Sequence, residues 1–308
     1  MKQLTSSEWI TQFLATDPPR SKSLVMTIFG DAIAPHGGAI WLGSLIELAA
    51  PFGVNHRLLR TSVFRLAQEG WLVANRDGRR SSYEILAQAQ PRIARANRRI
   101  YTPLETHWDG SWTLLLGAAA MLDAPTRAGL RKELAWAGFA MIAPGMYGHP
   151  VASADVIDDI LVRLGAQGKI LVCRATELAG VSTRPLRELA AEGWDLSGVV
   201  QGYRSFIDQF RPLLGVLEDG EALVPEQAFV VRTLLIHAYR RMQLHDPMLP
   251  VELMLDPWPG SEAYALARAL YRLTQAQAEH HITATLRRED AQAPQADCAF
   301  FERFGGLE

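Results

Sequence analysis

Cysteine is scarce in this sequence. Only Cys173 and Cys298 occur among 308 residues, and they lie far apart. Neither belongs to a Cys-x-x-Cys pair or lies near two histidines at metal-ligand spacing. A disulfide framework and a zinc site therefore have no support in the sequence, and we expect two ordinary thiols and no bound metal.

Long apolar runs are also missing. No stretch approaches the run of about 18 apolar residues that a membrane-spanning helix requires, and the first residues lack the apolar core of a secretory signal. With 48% hydrophobic residues, a chain of this length can bury two or three substantial cores. We expect a globular, cytoplasmic protein with no membrane partner.

The sequence also lacks the local motifs of several enzyme classes. GxGxxG, GxxxxGK[ST], GxSxG, HExxH and the EF-hand loop do not occur, so dinucleotide, P-loop, hydrolase and metalloprotease functions have no local support. We predict a protein that is not an enzyme and needs no cofactor. Two rivals stay open: an enzyme fused to a DNA-binding part, and an architectural DNA or RNA binder without ligand control.

Charge is distributed unevenly. Residues 1–103 hold 13 Lys and Arg against 7 Asp and Glu, a net charge of +6, whereas residues 104–308 hold 18 against 26, a net of −8. A basic part joined to an acidic body is typical of a nucleic-acid-binding head, because Lys and Arg neutralise phosphates and release counterions. Chance segregation of solvated charges is the alternative.

The basic part shows three helical patterns. The first lies between Pro19 and Pro35, the second spans Ser44–Ala50 after an extended piece at Ala39–Leu42, and the third runs from an N-cap at Asn55 to about Glu69. One face of the third helix is polar and basic; its residues are Arg57, Arg60, Thr61 and Arg65. A helix, a tight turn and a second helix with such a face indicate a helix-turn-helix that enters the major groove. Ser44, which can cap the second helix, is included among the predicted DNA contacts.

A hairpin is predicted next. Two alternating runs in WLVANRDGRRSSYEI are separated by Asp77-Gly78, a strong hairpin signal. We interpret it as a wing whose polar and basic residues contact phosphates or the minor groove; they are Arg76, Arg79, Arg80 and Ser82. An edge hairpin protected by charges against aggregation is the alternative. The basic helix that begins at Pro91 either flanks the DNA or is a solvated connector.

The rest of the chain divides into two patterns. Residues 110–180 alternate strands and helices in a βαββαβ order, which predicts a ferredoxin-like sandwich. Its small fold resembles that of the CRISPR-associated ferredoxin-like nucleases, but their acidic residue at the end of the first strand has no counterpart in WTLLLGA. Residues 181–308 contain long helical patterns.

Taken together, these patterns predict an α+β multidomain protein. It comprises an N-terminal winged helix-turn-helix domain (1–90), a basic linker helix (91–109), a ferredoxin-like middle domain (110–180) and an all-helical C-terminal effector and dimerisation domain (181–308).

One reactive cluster occurs in the helical part, at His237–Asp246. His237, Arg240 and Arg241 share a helix face and suit a phosphate or thioester oxygen through charge-assisted hydrogen bonds. A polar network that links helices within the domain is the alternative.

Seven segments in this order closely resemble the PaaX family, repressors of phenylacetic acid degradation operons. They are HGGAIWLGSL, RTSVFRLAQEGWL, GRRSSY, YRSFIDQFRPL, LLIHAYRRMQLHDPMLPVEL, WPG at 258–260 and the terminal FERFGG. His36 stands where the family often has arginine. The resemblance implies a homodimer that binds a palindromic operator in double-stranded DNA and is released by phenylacetyl-coenzyme A (phenylacetyl-CoA).

For this effector we expect cations for the phosphates and an aromatic wall for the phenyl group. The predicted effector residues are Arg211, His237, Arg240 and Arg241, with Tyr203 and Trp258 as the wall. A regulator of the same type that responds to another acyl-coenzyme A or aromatic pathway is the alternative.

Overall fold

The computed structural model describes residues 4–102, 108–117, 122–178, 180–181, 186–254 and 258–307. Its main helices are α1 (Ser6–Thr16), α2 (Ser21–Ile28), α3 (Leu42–Ala49), α4 (His56–Gln68), α5 (Gln90–Tyr101), α6 (Ala124–Trp136), α7 (Ala154–Arg163), α8 (Leu186–Gly193), α9 (Ser197–Glu218), α10 (Pro225–Gln243), α11 (Pro259–Glu289) and α12 (Cys298–Phe301). Its strands are β1 (Ala39–Trp41), β2 (Leu72–Asp77), β3 (Arg80–Ile85), β4 (Ser111–Gly117), β5 (Ala140–Ala143), β6 (Met146–His149) and β7 (Ile170–Thr176). The strands form two small antiparallel sheets, so the predicted α+β class is confirmed.

Local sequence signals set the boundaries of α4 and of the hairpin. The Asn55 side chain accepts a hydrogen bond from the Leu58 backbone N–H at 2.9 Å, which is the N-cap predicted for α4. In the hairpin Asp77 pairs with Arg80, so the two turn residues are Gly78 and Arg79, one position later than predicted. Gly78 has a φ of +57°, which glycine adopts without strain.

Several predicted boundaries were wrong. Helix α1 was not anticipated, and the helix predicted before Pro35 is α2 continued by a π-helix, Phe29–Ile33, and a short 3-10 turn. Helix α3 begins at Leu42 instead of Ser44.

The chain forms two compact units, each built from separate stretches of sequence. Unit 1 contains residues 1–103, 204–241 and 262–308, and unit 2 contains residues 104–203 and 242–261. The sequential boundaries at residues 90, 109 and 180 stay predictions.

Unit 2 is organised around the four-stranded sheet. The strand order is β5-β6-β4-β7, which is the order of a ferredoxin-like βαββαβ sandwich. Leu115 on β4 belongs to a core with Leu134 of α6 and Ile160 of α7. A second cluster contains Trp112 of β4 and Trp194. Alternate β4 residues therefore enter different clusters, as the two-residue period of a strand requires.

A carboxylate lies at the centre of unit 1. Asp31 is 2% exposed, and four side chains donate hydrogen bonds to it. The Tyr101 and Tyr271 hydroxyls lie at 2.6 and 2.9 Å, and the guanidiniums of Arg232 and Arg303 lie at 2.8 and 3.0 Å. The donors come from α5, α11, α10 and the residues after α12, so Asp31 joins distant parts of the chain.

The charges around Asp31 compensate one another. Arg232 also donates to Glu279 at 2.6 Å, so two carboxylates face two guanidiniums. Burial alone raises the pKa of Asp31, but the charges of Arg232 and Arg303 hold that pKa below its ordinary value. His36 of the paired-glycine segment lies 3.2 Å from Glu279. Two of the sequence motifs thus meet in this network, since Arg303 belongs to FERFGG.

Candidate nucleic-acid interface and ligand-binding residues

Helix α4 presents an exposed basic face. Its buried residues are Leu59, Ser62, Val63 and Leu66, and the opposite face leaves the predicted contacts exposed; these are Arg57, Arg60, Thr61 and Arg65. The helix contains no acidic residue. The structure therefore brings four predicted residues together on one cationic surface.

Helix α2 holds α4 in this orientation. The hydroxyls of Ser21 and Ser62 lie 2.9 Å apart in a buried contact, and Lys22 pairs with Glu69 at 2.5 Å near the end of α4. The Ser21–Ser62 contact lies on the buried side of α4, and Arg57, Arg60 and Arg65 stay exposed to solvent.

The hairpin tip carries two exposed arginines, Arg76 and Arg79. Arg80 is about half exposed, and its side chain contacts other residues of the protein. Its guanidinium lies 4.1 Å from the centre of the Trp41 ring and donates to the Glu289 carbonyl at 3.2 Å. Ser82 is partly buried on β3, opposite Asn75. The predicted wing residues thus differ in how freely they can reach a partner.

Ser44 is not on the exposed surface. It is 2% exposed, and its hydroxyl and backbone N–H donate to the Glu289 carboxylate at 2.9 and 2.6 Å. Helix α3 begins two residues earlier than predicted, so Ser44 lies inside its first turn, where it contacts Glu289 at the end of α11. Its predicted DNA contact gains no support from this position.

The end of α11 contacts the basic part of the chain, a feature that sequence reasoning missed. Glu289 holds Ser44 and Arg80, and Arg288 forms an ion pair with Glu47 on α3. No short-range pattern announces contacts between residues more than 200 positions apart.

Sequence reasoning also missed Phe64. This residue is 58% exposed on α4, between the arginines and outside the buried stripe. Its position could have been read from helical spacing, because Phe64 follows Arg60 by four residues and Thr61 by three.

The predicted effector residues fall into two sets. Arg211, His237, Arg240 and Arg241 belong to unit 1, whereas Tyr203 and Trp258 belong to unit 2. In unit 1, Arg211 forms an ion pair with Glu262. Arg241 pairs with Asp17 at 3.1 Å.

His237 and Arg240 meet at the Thr27 hydroxyl of α2. Thr27 donates to the Ser23 carbonyl at 3.0 Å, so its oxygen is left to accept from Arg240 at 3.0 Å and from His237 Nδ1 at 3.1 Å. Burial first, and then the charges of Arg240 and Arg241, lower the pKa of His237 to about 4. A neutral histidine with its proton on Nδ1 fits this environment, and both residues link α10 to α2.

In unit 2 the predicted aromatic wall does form a contact. The rings of Tyr203 and Trp258 lie edge to face with centres 5.7 Å apart. The Tyr203 hydroxyl donates to Asp246 at 2.6 Å.

Unit 2 also contains a cavity of about 660 Å³. Trp108, Val151 and Ile157 contribute apolar surface, and Arg174 supplies a cation. Arg174 is paired with Asp109 at 2.6 Å. The volume is in the range of small-molecule sites.

Features of metal-binding and membrane-spanning proteins are absent from the described part of the chain. Its residues contain no cluster of His, Cys, Asp and Glu that could hold a metal ion. Its helices include none with the length and apolarity needed to cross a bilayer.

Comparison with known proteins gives matches along most of the chain. The PaaX-like protein family matches residues 20–89, the PaaX protein central Cas2-like domain matches residues 105–187, and the PaaX-like protein C-terminal domain matches residues 194–284. Among solved structures, the uncharacterized protein Rv0674 from Mycobacterium tuberculosis is 26% identical with a TM-score of 0.53. The match covers 86% of this chain and 98% of that protein.

A curated relative carries a functional name. Transcriptional repressor PaaX of Escherichia coli (strain K12) is 35% identical over 291 residues, which cover 94% of this chain and 92% of the relative. Since the three family matches and this relative together span nearly the whole sequence, the chain belongs to the PaaX-like protein family.

Proposed function

We propose that this protein is a transcriptional repressor of phenylacetate catabolism genes that binds operator DNA as a homodimer and is released by phenylacetyl-CoA. The observation that carries the DNA-binding part is the exposed cationic face of α4, which contains no acidic residue. The name of the Escherichia coli relative, Transcriptional repressor PaaX, supports the same function.

In this proposal α2 to α4 and the sheet β1-β3-β2 form a winged helix-turn-helix. Helix α4 enters the major groove, where Arg57 and Arg60 suit the O6 and N7 atoms of guanine. Arg76 and Arg79 at the wing tip bind phosphates or the minor groove. Residues 181–308 form the helical effector and dimerisation domain.

Release follows from a two-state equilibrium in which the effector favours a dimer whose two α4 helices no longer match successive major grooves. A differential affinity of about 100-fold, or about 2.7 kcal/mol, gives substantial derepression. Arg211, His237, Arg240 and Arg241, with Tyr203 and Trp258, contribute to effector binding in this proposal. His237 and Arg240 hold α2, which offers a route from ligand to DNA-binding elements.

The test is a fluorescence-anisotropy titration of the protein on duplex DNA from upstream of its own gene, at fixed salt. It is repeated with phenylacetyl-CoA, with other acyl-coenzyme A thioesters and with free phenylacetate. Tight, sequence-dependent binding abolished only by phenylacetyl-CoA is expected. Binding without preference for this DNA over a scrambled duplex would refute the repressor function.

Variants in the same titration test the effector site. Arg241→Ala is expected to weaken the response to phenylacetyl-CoA while DNA affinity without effector is retained, because Arg241 is exposed and pairs only at the surface. Arg174→Ala, in the cavity of unit 2, is the comparison. An unchanged response in Arg241→Ala and a lost response in Arg174→Ala would move the effector site to that cavity.

A further inference from the structure

Phe64 occupies the middle of the basic face of α4. At about 100° per residue, it projects between Arg60 and Arg57, within about 40° of each. Leu59, Val63 and Leu66, the buried stripe, lie on the opposite side. Phe64 therefore does not belong to the buried stripe and is part of the cationic surface of α4.

An exposed ring at this place is unlike most other phenylalanines of unit 1. Phe29, Phe206, Phe210 and Phe229 are each 2% exposed or less, whereas Phe64 is 58% exposed. Leaving a large apolar side chain in water forgoes the favourable free energy that burial would supply. A partner that covers the ring would recover part of this free energy.

The neighbours of Phe64 specify what kind of partner fits. Arg57, Arg60 and Thr61 lie on the same side of the helix as the ring, and the helix contains no acidic residue. The partner must therefore combine negative charge, which pairs with the arginines, with an apolar group that contacts the ring between them. The major groove of DNA has both, because phosphates line its edges and each thymine presents a 5-methyl group there.

We infer that Phe64 is a specificity-determining residue that contacts a thymine 5-methyl group in the operator. This inference rests on the proposed function and adds an apolar contact to the hydrogen bonds of the arginines. Arginine pairing distinguishes guanine, whereas the ring distinguishes thymine from bases without the methyl group. The two kinds of contact read different base pairs along one face of α4.

The experiment uses the upstream duplex that the protein binds in the titration above. Each thymine is replaced by deoxyuridine, one position at a time, and the affinity of the protein for each duplex is measured by fluorescence anisotropy. This change removes one methyl group and leaves the hydrogen-bonding edge intact. Wild type is expected to bind about fourfold more weakly at one or two positions, which corresponds to one methyl-sized apolar contact. Phe64→Ala is expected to bind the unmodified operator at least fourfold more weakly and to be indifferent to deoxyuridine at those positions.

Leu58→Ala is the matched control. Leu58 is also apolar and 46% exposed on α4, but it projects about 120° away from Phe64, so this variant should keep the wild-type sensitivity to deoxyuridine. Circular dichroism checks that each variant is folded, and Phe64→Leu, which retains an apolar side chain, should recover part of the affinity.

Four results would overturn the inference. Wild type that binds the operator but ignores every deoxyuridine refutes the thymine contact and leaves the repressor function standing. A Phe64→Ala variant that keeps the wild-type sensitivity assigns the methyl contact to another residue. A change in oligomeric mass on Phe64→Ala assigns the ring to a protein interface. If wild type shows no operator preference at all, the proposed function fails, and the inference fails with it.

Discussion

His237 shows how its surroundings change a single residue. Sequence alone made it a candidate for binding phosphate, a role that the protonated form performs best. The structure buries the imidazole between Thr27 and two arginines, and its pKa falls to about 4. At neutral pH the side chain is an uncharged link between α10 and α2, so any contribution to effector binding is through hydrogen bonds or helix position.

This burial makes stability depend on pH. The pKa of His237 is lower in the folded state, about 4, than the ordinary value of 6.5. Between these values the unfolded state binds a proton that the folded state does not, so stability decreases as pH falls from about 6.5 to 4. We expect about 2 kcal/mol of unfolding free energy to be lost between pH 7 and pH 5 from this residue, and urea denaturation of His237→Gln should show a correspondingly flatter pH profile.

The exposed His280 supplies the control for that measurement. His280→Gln should keep the wild-type slope. Equal pH profiles for wild type and His237→Gln would show that His237 does not carry the effect.

At the scale of elements, α4 and the hairpin are expected to make different contributions to DNA binding. Arg60→Ala should cost about 1–3 kcal/mol on operator DNA and relax its sequence preference, because a base contact is lost. Arg79→Ala should weaken all sequences alike and reduce the slope of log affinity against log salt by about 1, because a phosphate contact is lost. Anisotropy titrations at several salt concentrations separate the two. If wild type and Arg60→Ala bind the operator equally well at the same salt concentration, Arg60 does not contact a base.

Elements defined by short-range signals were predictable. Asn55 caps α4, and the Asp77-Gly78 pair indicates the hairpin. The order of strands and helices in unit 2 also followed from its alternating pattern. The signals failed where helical types change without a break, as at Phe29–Ile33, because a single turn of π-helix is too short to show an apolar period of its own.

Site residues were less predictable than elements. The exposed arginines of α4 followed from helical spacing, but the burial of Ser44 and the part played by Glu289 depend on packing between segments more than 200 residues apart. The effector candidates shared a helix face in sequence, whereas in the structure Arg240 turns to α2 and Arg241 to Asp17. Helical periodicity predicts which side chains share a face of a helix, but it does not predict which residues of other elements they contact.

At the scale of the whole molecule, the network around Asp31 should dominate the stability of unit 1. Asp31→Asn keeps the shape of the side chain but leaves Arg232 and Arg303 with too little negative charge in a buried site. Breaking such a pair costs about 3–5 kcal/mol. Urea denaturation should show a loss of this order. Asp17→Asn, which removes only an exposed partner of Arg241, should cost less than about 1 kcal/mol, and comparable losses in the two variants would refute the central role of Asp31.

The same network limits how this protein can be divided or recombined. A fragment that ends near residue 90 carries the Asp31 carboxylate without Tyr101, Arg232, Tyr271 or Arg303, the four side chains that donate to it. Such a fragment would lose the contacts that join Asp31 to α5, α10 and α11. The segment proposed to read DNA is therefore not an exchangeable module, and a chimera that gives it a new specificity must replace amino acids on its surface or transfer the four distant donors with it.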